Sequence, residues 1–269
     1  MQEMLDTPKD QGLVDLIVDP DVLARELEAE QQGDPLDDID PSDAWGNKLE
    51  VARECDAALE WLQQNQQQRL QGLRVFCEHR DSRAVPLLLP LLDSPCPVIR
   101  MSAVYALGRN PSPKAVDPLI RLLHLDSNAF VRKAAAWSLG NYSDAPVMRP
   151  LIRALQTDVI SVRLWATASL AEAGMTSAGK AELATCQLIL ALRIDVEPTV
   201  RSNCIWALGR LHSLLAASRQ EELVSAVIDA LLQDKEAAVR EEAYSTLEQL
   251  GGPDPMRHLQ TLMDEGLVG

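Results

Sequence analysis

The fold is decided by a stretch that occurs first as Ile99-Arg-Met-Ser-Ala-Val-Tyr-Ala-Leu-Gly-Arg109 and again, 32 residues later, as Val131-Arg-Lys-Ala-Ala-Ala-Trp-Ser-Leu-Gly-Asn141. Both contain an aliphatic–Arg pair, a small residue three positions after the Arg, Leu seven positions after it and Gly eight positions after it. The pattern recurs, with some substitution, around Arg163, Arg201 and Arg240, and in degenerate form around Arg69. Six occurrences of a four-position pattern indicate a tandem repeat.

Each repeat is predicted to form two helices. Because a helix turns by about 100° per residue, positions −1, +3 and +7 from the Arg lie on one face. These positions are apolar in the five well-matched repeats, which predicts a buried face. The preceding apolar runs predict the first helices, at Ala84–Leu92, Ala115–Leu123, Pro146–Leu155, Ala181–Leu192 and Glu222–Leu232. Strand alternation and hairpin turns are nearly absent from the sequence. We therefore expect an all-α fold, an α-solenoid of about six helical-hairpin repeats.

The charge separates an arm from this repeat body. The 269 residues carry a net charge of −15. Residues 1–50 contain 15 acidic side chains but only three basic ones, Lys9, Arg25 and Lys48. We predict an acidic, largely flexible arm over residues 1–48, with one short helix within Leu13–Glu30, and the repeat solenoid over residues 49–269. The nearly neutral body disfavours binding to nucleic acid, and no apolar stretch is long enough to cross a membrane.

An aspartate precedes each repeat arginine by five to seven residues, at Asp93, Asp126, Asp158, Asp195 and Asp234. A carboxylate at the start of a helix accepts hydrogen bonds from backbone amides. The following arginine can pair with this aspartate or with that of a neighbouring repeat. We interpret these arginines as structural rather than as a row of phosphate ligands.

The candidate binding residues lie opposite the buried face, at positions +2, +5 and +9 from the Arg. They are Tyr105, Arg109, Trp137, Asn141, Trp165, Trp206 and Arg210. Aromatic residues are scarce in this chain, at 4% of the sequence, and exposed aromatics beside arginines are typical of protein-binding hot spots. They would equally suit the rings and propionates of a tetrapyrrole, and the structural alternative is packing against the adjacent repeat. We expect a binding strip on a concave face lined by the second helices.

Histidine and cysteine give no clear catalytic or metal site. His79, His124, His212 and His258 lack the spacing of a helical metal pair, and we predict no metal ligands among them. Cys204 occupies the small buried position of its repeat, and Cys77 replaces a repeat Gly, so both are predicted to pack in the core. Cys96, which precedes a helix, is predicted to be the most exposed of the five cysteines. The odd number of cysteines without a CxxC pair indicates a cytoplasmic protein without structural disulfides.

The pattern Val-Arg-x-x-Ala-x-x-x-Leu-Gly resembles the HEAT-like repeats of phycobilin lyases of the E/F type, over residues 67–250. This resemblance implies a cyanobacterial protein related to lyase subunits that attach bilins to, or remove them from, the phycobiliproteins of the phycobilisome. The sequence also looks like a cyanobacterial HEAT-repeat protein that partners an A-type iron–sulphur scaffold. A phycobilin, or less readily an iron–sulphur cluster, would then be the cofactor.

Three functions remain open from the sequence. The absence of a dedicated acid–base constellation favours a non-catalytic module that grips a partner protein on its concave face. The second function is a bilin lyase subunit, which would be the enzymatic one. The third is an accessory partner in iron–sulphur cluster assembly. The partner would accordingly be a phycobiliprotein, a companion lyase subunit or an iron–sulphur scaffold.

Overall fold

The computed structural model describes residues 48–251 together with Thr261, Asp264 and Gly266. The chain divides into two units after Lys48, and the fold described below is that of the unit beginning at Leu49. The predicted acidic arm lies outside the described residues, apart from Lys48, and so does the helix predicted within Leu13–Glu30. The arm and its boundary therefore remain predictions.

Residues 48–251 form twelve α-helices and no strand, which confirms the predicted all-α class. The helices are α1 (Lys48–Trp61), α2 (Gln66–Glu78), α3 (Val85–Leu88), α4 (Pro97–Arg109), α5 (Val116–Leu125), α6 (Ala129–Gly140), α7 (Met148–Thr157), α8 (Ile160–Gly174), α9 (Ala178–Ile194), α10 (Pro198–Leu211), α11 (Ala217–Gln233) and α12 (Ala237–Leu250). Consecutive helices pair into six repeats, with the odd-numbered helices first and the even-numbered helices second. None of the described helices has the length and apolar character needed to span a bilayer.

The first helix of the second repeat is shorter than predicted. The apolar run Ala84–Leu92 forms the one-turn helix α3 and then a 3₁₀ segment, Leu89–Asp93. Pro90 accounts for the break, because it has no N–H to donate to the carbonyl of Pro86 and its ring crowds that carbonyl.

The predicted buried face of the second helices is confirmed. In the third repeat, Val131, Ala135 and Leu139 are all completely buried, and the equivalent residues of the other four well-matched repeats are at most 3% exposed. Small side chains at the central position allow the flanking helices to approach closely, so a core with few aromatic residues can still be close-packed.

Contact between successive second helices depends on the repeat glycines. A Cβ atom at Gly108 of α4 would lie 2.5 Å from Cζ3 of Trp137 on α6, and one at Gly140 of α6 would lie 2.8 Å from Oγ of Ser169 on α8. The second helices contact one another extensively along the stack, whereas the first helices contact one another at few positions. The second helices therefore form the more densely contacting layer, and the concave face that we expect on their side stays a prediction.

Buried ion pairs link each repeat to the next, and we call them the Asp–Arg ladder. Its rungs are Arg100–Asp126, Arg132–Asp158, Arg163–Asp195 and Arg201–Asp234, each with an N–O distance of 2.7 Å. The arginine therefore pairs with the aspartate of the following repeat. It also binds its own repeat, since Nη1 of Arg132 donates to the carbonyl oxygen of Asp126 at 2.9 Å.

The ladder does not include Asp93. This exposed carboxylate pairs instead with Arg121 at 2.7 Å. Arg69 of the degenerate first repeat donates to the carbonyl oxygens of Leu62 at 3.1 Å and Gln64 at 2.9 Å. The first and second repeats are joined instead by the Arg83–Asp56 ion pair at 2.9 Å and by hydrogen bonds from Asn110 Nδ2 to the carbonyl oxygens of Phe76 at 2.9 Å and His79 at 3.2 Å.

We predict that Arg132→Ala lowers the free energy of unfolding by about 1–3 kcal/mol, because it leaves the Asp158 carboxylate half-buried without its charged partner. Chemical denaturation of the variant measures this loss. Arg149→Ala, which removes an exposed arginine of α7, is the matched control and should change stability little. Equal stability of the two variants would contradict a structural role for the ladder.

The ladder also predicts a loss of stability in acid. Burial opposes ionisation of Asp126, but hydrogen bonds from Arg100 and from the Asn128 amide outweigh it, so the pKa of Asp126 is lowered in the folded protein. The pKa of Asp234 is lowered too, mainly by its hydrogen bond with Arg201. The stabilisation is therefore complete above the unfolded-state pKa, at about 4, and is lost as the pH falls through the lower folded-state values.

We expect the urea concentration at the unfolding midpoint to decrease when the pH is lowered below about 4. The decrease should be less steep for Asp126→Asn, in which residue 126 no longer titrates. Asp117→Asn removes an exposed carboxylate and should keep the wild-type pH dependence. Parallel curves of urea midpoint against pH for the wild type and Asp126→Asn would show that this rung does not cause the loss of stability in acid.

Candidate functional site

The predicted binding residues separate into two groups on the second helices. Tyr105, Arg109 and Trp137 form the first, which we call the Trp137 cluster. The Tyr105 and Trp137 rings have centroids 5.3 Å apart at an interplanar angle of 59°, and the Arg109 Cζ lies 5.8 Å from the Trp137 ring centroid. This is the tilted geometry that aromatic pairs prefer, with a cation beside the larger ring.

Trp137 is also part of the packing between repeats. Its Cζ3 occupies the space that a side chain at Gly108 of the preceding second helix would fill. The Nε of Arg109 is buried beside it without a hydrogen-bond partner among the described residues. The Trp137 cluster therefore joins α4 to α6 while leaving one guanidinium without a carboxylate partner.

Trp165, Trp206 and Arg210 form the second group, the Trp206 cluster. Trp206 is 40% exposed, although it occupies the same repeat position as Trp137. The residue that corresponds to Gly108 on the preceding second helix is Ala171, so Trp206 does not face a glycine as Trp137 does.

Arg210 is held against Trp206 by a carboxylate from the preceding repeat. Its Cζ lies 5.1 Å from the Trp206 ring centroid, its Nη1 pairs with Glu172, and its Nη2 lies 3.1 Å from Sδ of Met175. The positive charge of Arg210 is thus already balanced on this surface.

A cavity of about 370 Å³ opens beside Trp206 and crosses three successive second helices. It is lined by Leu164, Trp165 and Ala168 of α8, by Ser202, Asn203 and Trp206 of α10, and by Glu242 of α12. Ser202 and Asn203 lie one turn before Trp206 and Arg210 one turn after it. Its volume is within the range of ligand pockets, and it extends along the stack.

Two polar residues that line the cavity, Asn203 and Glu242, differ in their hydrogen-bond partners. Asn203 Nδ2 donates to the carbonyl oxygen of Leu164 at 3.2 Å, which ties α10 to α8 and fixes the amide. The Glu242 carboxylate accepts only a long hydrogen bond, 3.4 Å, from Oγ1 of Thr246 on its own helix. No Lys or Arg of the described region pairs with Glu242, so its charge faces the cavity uncompensated.

The structure thus brings together six of the seven predicted residues as two clusters. Asn141 is in neither, because it is exposed at the end of α6, where its backbone amide closes the helix. Glu242 and Asn203 were missed by the sequence analysis. Both occupy position +2, the position at which Trp165 was noted, so comparison of that position across repeats would have found them.

The described cysteines and histidines do not form a reactive centre. Cys204 is fully buried as predicted, and burial raises the pKa of its thiol to about 12. Cys96 is half-buried, as are Cys77 and Cys186, so it is not distinguished by exposure. Burial lowers the pKa of both His124 and His212, and His258 lies outside the described residues. Within the described region, no three potential ligands among His, Cys, Asp and Glu converge on a metal position.

Stacked helix pairs define an α-solenoid repeat protein, a class whose long concave surface serves for binding. The chain belongs to the HEAT repeat family, whose model matches residues 56–140, 85–171 and 185–267. The HEAT-like repeat prediction is therefore confirmed. A search among curated proteins found no match to this sequence.

Solved structures support the same fold. A designed armadillo repeat protein, YIII(Dq.V1)4CPAF in complex with peptide (KR)4, is 20% identical with a TM-score of 0.56, over 74% of this chain and 100% of that chain. Another, YIII(Dq)4CqI, is 19% identical with a TM-score of 0.53, over 73% and 100%. Kap95 from the Kap95:Nup1 complex is 16% identical with a TM-score of 0.58, over 91% of this chain but 35% of that chain. At these identities the likeness extends to the fold alone.

The two tryptophans should respond differently to truncation. Trp137→Ala should lower the free energy of unfolding by about 2–3 kcal/mol, because it opens a cavity over Gly108. Trp206→Ala should lower it by less than about 1 kcal/mol, because the ring is largely outside the core. Denaturation curves of both variants test this, and the ranking would be contradicted if Trp206→Ala proved the more destabilising change.

Proposed function

We propose that this protein is a binding module that holds a segment of a partner protein along the concave strip of its second helices. The observation that carries the proposal is Trp206, a large aromatic side chain left 40% exposed beside an open cavity. A tryptophan at the centre of a desolvated pocket is the usual anchor of a protein interface. The fold supports this, since similar solenoids were solved in complex with a peptide and with Nup1.

The strip offers a second contact at the Trp137 cluster. Arg109 on α4 makes no ion pair among the described residues, and it lies four repeats before Glu242 on α12. With second helices spaced by about 8–10 Å, the two points are roughly 32–40 Å apart. A partner that reaches both contacts would be an extended segment and would be held in one direction.

A bilin lyase subunit remains the alternative, with the cyanobacterial origin and cytoplasmic location that the resemblance implies. Aromatic faces in the Trp206 cavity suit tetrapyrrole rings. Its charges suit the propionates less well, because Arg210 is neutralised by Glu172 and the open carboxylate of Glu242 repels anions. This alternative predicts that the purified protein shifts the visible spectrum of a free bilin, and that Trp206→Ala abolishes the shift.

The role in iron–sulphur assembly also remains a proposal. Cys55 and Cys204 are buried, and the described cysteines do not converge, so the described residues do not fit a cluster held by this chain alone. A scaffold protein could still be the segment-bearing partner, in which case it would supply the ligands.

The proposed function predicts which variants lose the partner. The full chain would be immobilised, the partner captured from a cyanobacterial lysate and identified by mass spectrometry, and its affinity measured by titration. Trp206→Ala and Trp165→Ala should each weaken binding by about 2 kcal/mol, close to 30-fold.

Leu190→Ala is the matched control, because Leu190 is an exposed apolar residue, 43% accessible, on the first-helix layer. It should retain wild-type affinity. A partner that is lost with Leu190→Ala and kept with Trp206→Ala would place the working surface on the first helices and contradict the proposal.

A further inference from the structure

The Trp206 cavity combines aromatic walls with a carboxylate that pairs with no Lys or Arg among the described residues. Trp165 and Trp206 come from successive second helices, and Glu242 is contributed by the next helix. Arg210, which contacts the Trp206 ring, is paired with Glu172, and no ion pair joins it to Glu242.

We infer that this cavity takes the guanidinium group of an arginine side chain of the partner protein. The inference rests on the proposed function and specifies the chemistry of the segment that is bound. A guanidinium is planar and weakly hydrated, so it stacks on indole rings more readily than an ammonium group does. Its fork of N–H donors also matches the two oxygens of a carboxylate.

The alternative occupants fit the cavity less well. An apolar side chain would fill the space between the indoles but would bury the Glu242 carboxylate without a partner, which is costly. An acidic side chain would meet the same carboxylate and be repelled. Asn203 uses one of its two amide N–H donors on the Leu164 carbonyl oxygen, and a neutral amide does not balance the charge of the Glu242 carboxylate. Of these occupants, only a cation both stacks favourably on the indole rings and neutralises the Glu242 carboxylate.

The probe is a peptide with a single arginine, Ac-Gly-Ser-Arg-Ser-Gly-amide, added to the full chain labelled with 5-fluorotryptophan. The chain has five tryptophans, so fluorine NMR resolves few signals, which Trp165→Phe and Trp206→Phe assign. Saturable shifts of the Trp165 and Trp206 signals are expected, with no change at Trp61 in α1. The citrulline peptide, a neutral isostere of the arginine peptide, should bind at least about fivefold more weakly, and the lysine peptide more weakly than arginine.

Glu242→Gln should reduce the affinity for arginine to that for citrulline, whereas Glu241→Gln, the same charge change on the adjacent exposed residue, should leave the difference intact. An unchanged Trp61 signal checks that each variant is folded. Equal binding of arginine and citrulline by the wild type would overturn the inference, as would equal binding of lysine or the absence of shifts at both cavity tryptophans.

The outcomes separate this inference from the proposed function. If Trp206→Ala loses the captured partner but the peptides show no preference for arginine, the strip is a binding surface and the assignment of the cavity is wrong. If the wild type prefers the arginine peptide but the captured partner binds Trp206→Ala as tightly as the wild type, the inference about the cavity holds and the proposed function is contradicted.

Discussion

The Asp–Arg ladder is the interaction on which the arrangement of this protein depends. Asp126 shows how a rung works, because its carboxylate binds Arg100 of the preceding repeat while its carbonyl oxygen accepts from Arg132 of its own repeat. The same carboxylate accepts the amide of Asn128 at the start of α6. One aspartate therefore orders the turn that leads to the N-cap of a helix, Asn128, and holds that helix next to the previous one. Since this repeats at four rungs, the second helices from α4 to α12 are joined in one series.

Joining the second helices in one series does not make their surfaces equal. Trp137 and Trp206 occupy the same repeat position, yet one packs over Gly108 and the other stands out beside a cavity. At the position of Gly108, the helix that precedes Trp206 carries Ala171. The same repeat position thus holds one tryptophan that packs between repeats and one that is exposed to a partner.

The charges on the strip give its two ends opposite character. Arg109 at the Trp137 cluster has no carboxylate partner, and Glu242 at the Trp206 cavity has no cationic one, among the described residues. Arg210 and Glu172, which lie closer together, cancel each other. A solenoid with uncompensated charges of opposite sign along one groove can select both the identity and the direction of an extended ligand.

The sequence by itself determined the repeat, the helix pairs and the buried face, because position along a helix fixes direction and Val131, Ala135 and Leu139 can only be buried together. It also indicated which arginines and aspartates are structural, and that the aromatic residues share one side. Only the tertiary structure decided the partner of each arginine, the separation of Trp137 from Trp206 and the presence of Glu242 at the cavity. These depend on contacts between residues about 30–40 positions apart, whose distance is set by how one repeat stacks on the next and is not encoded in any single helix.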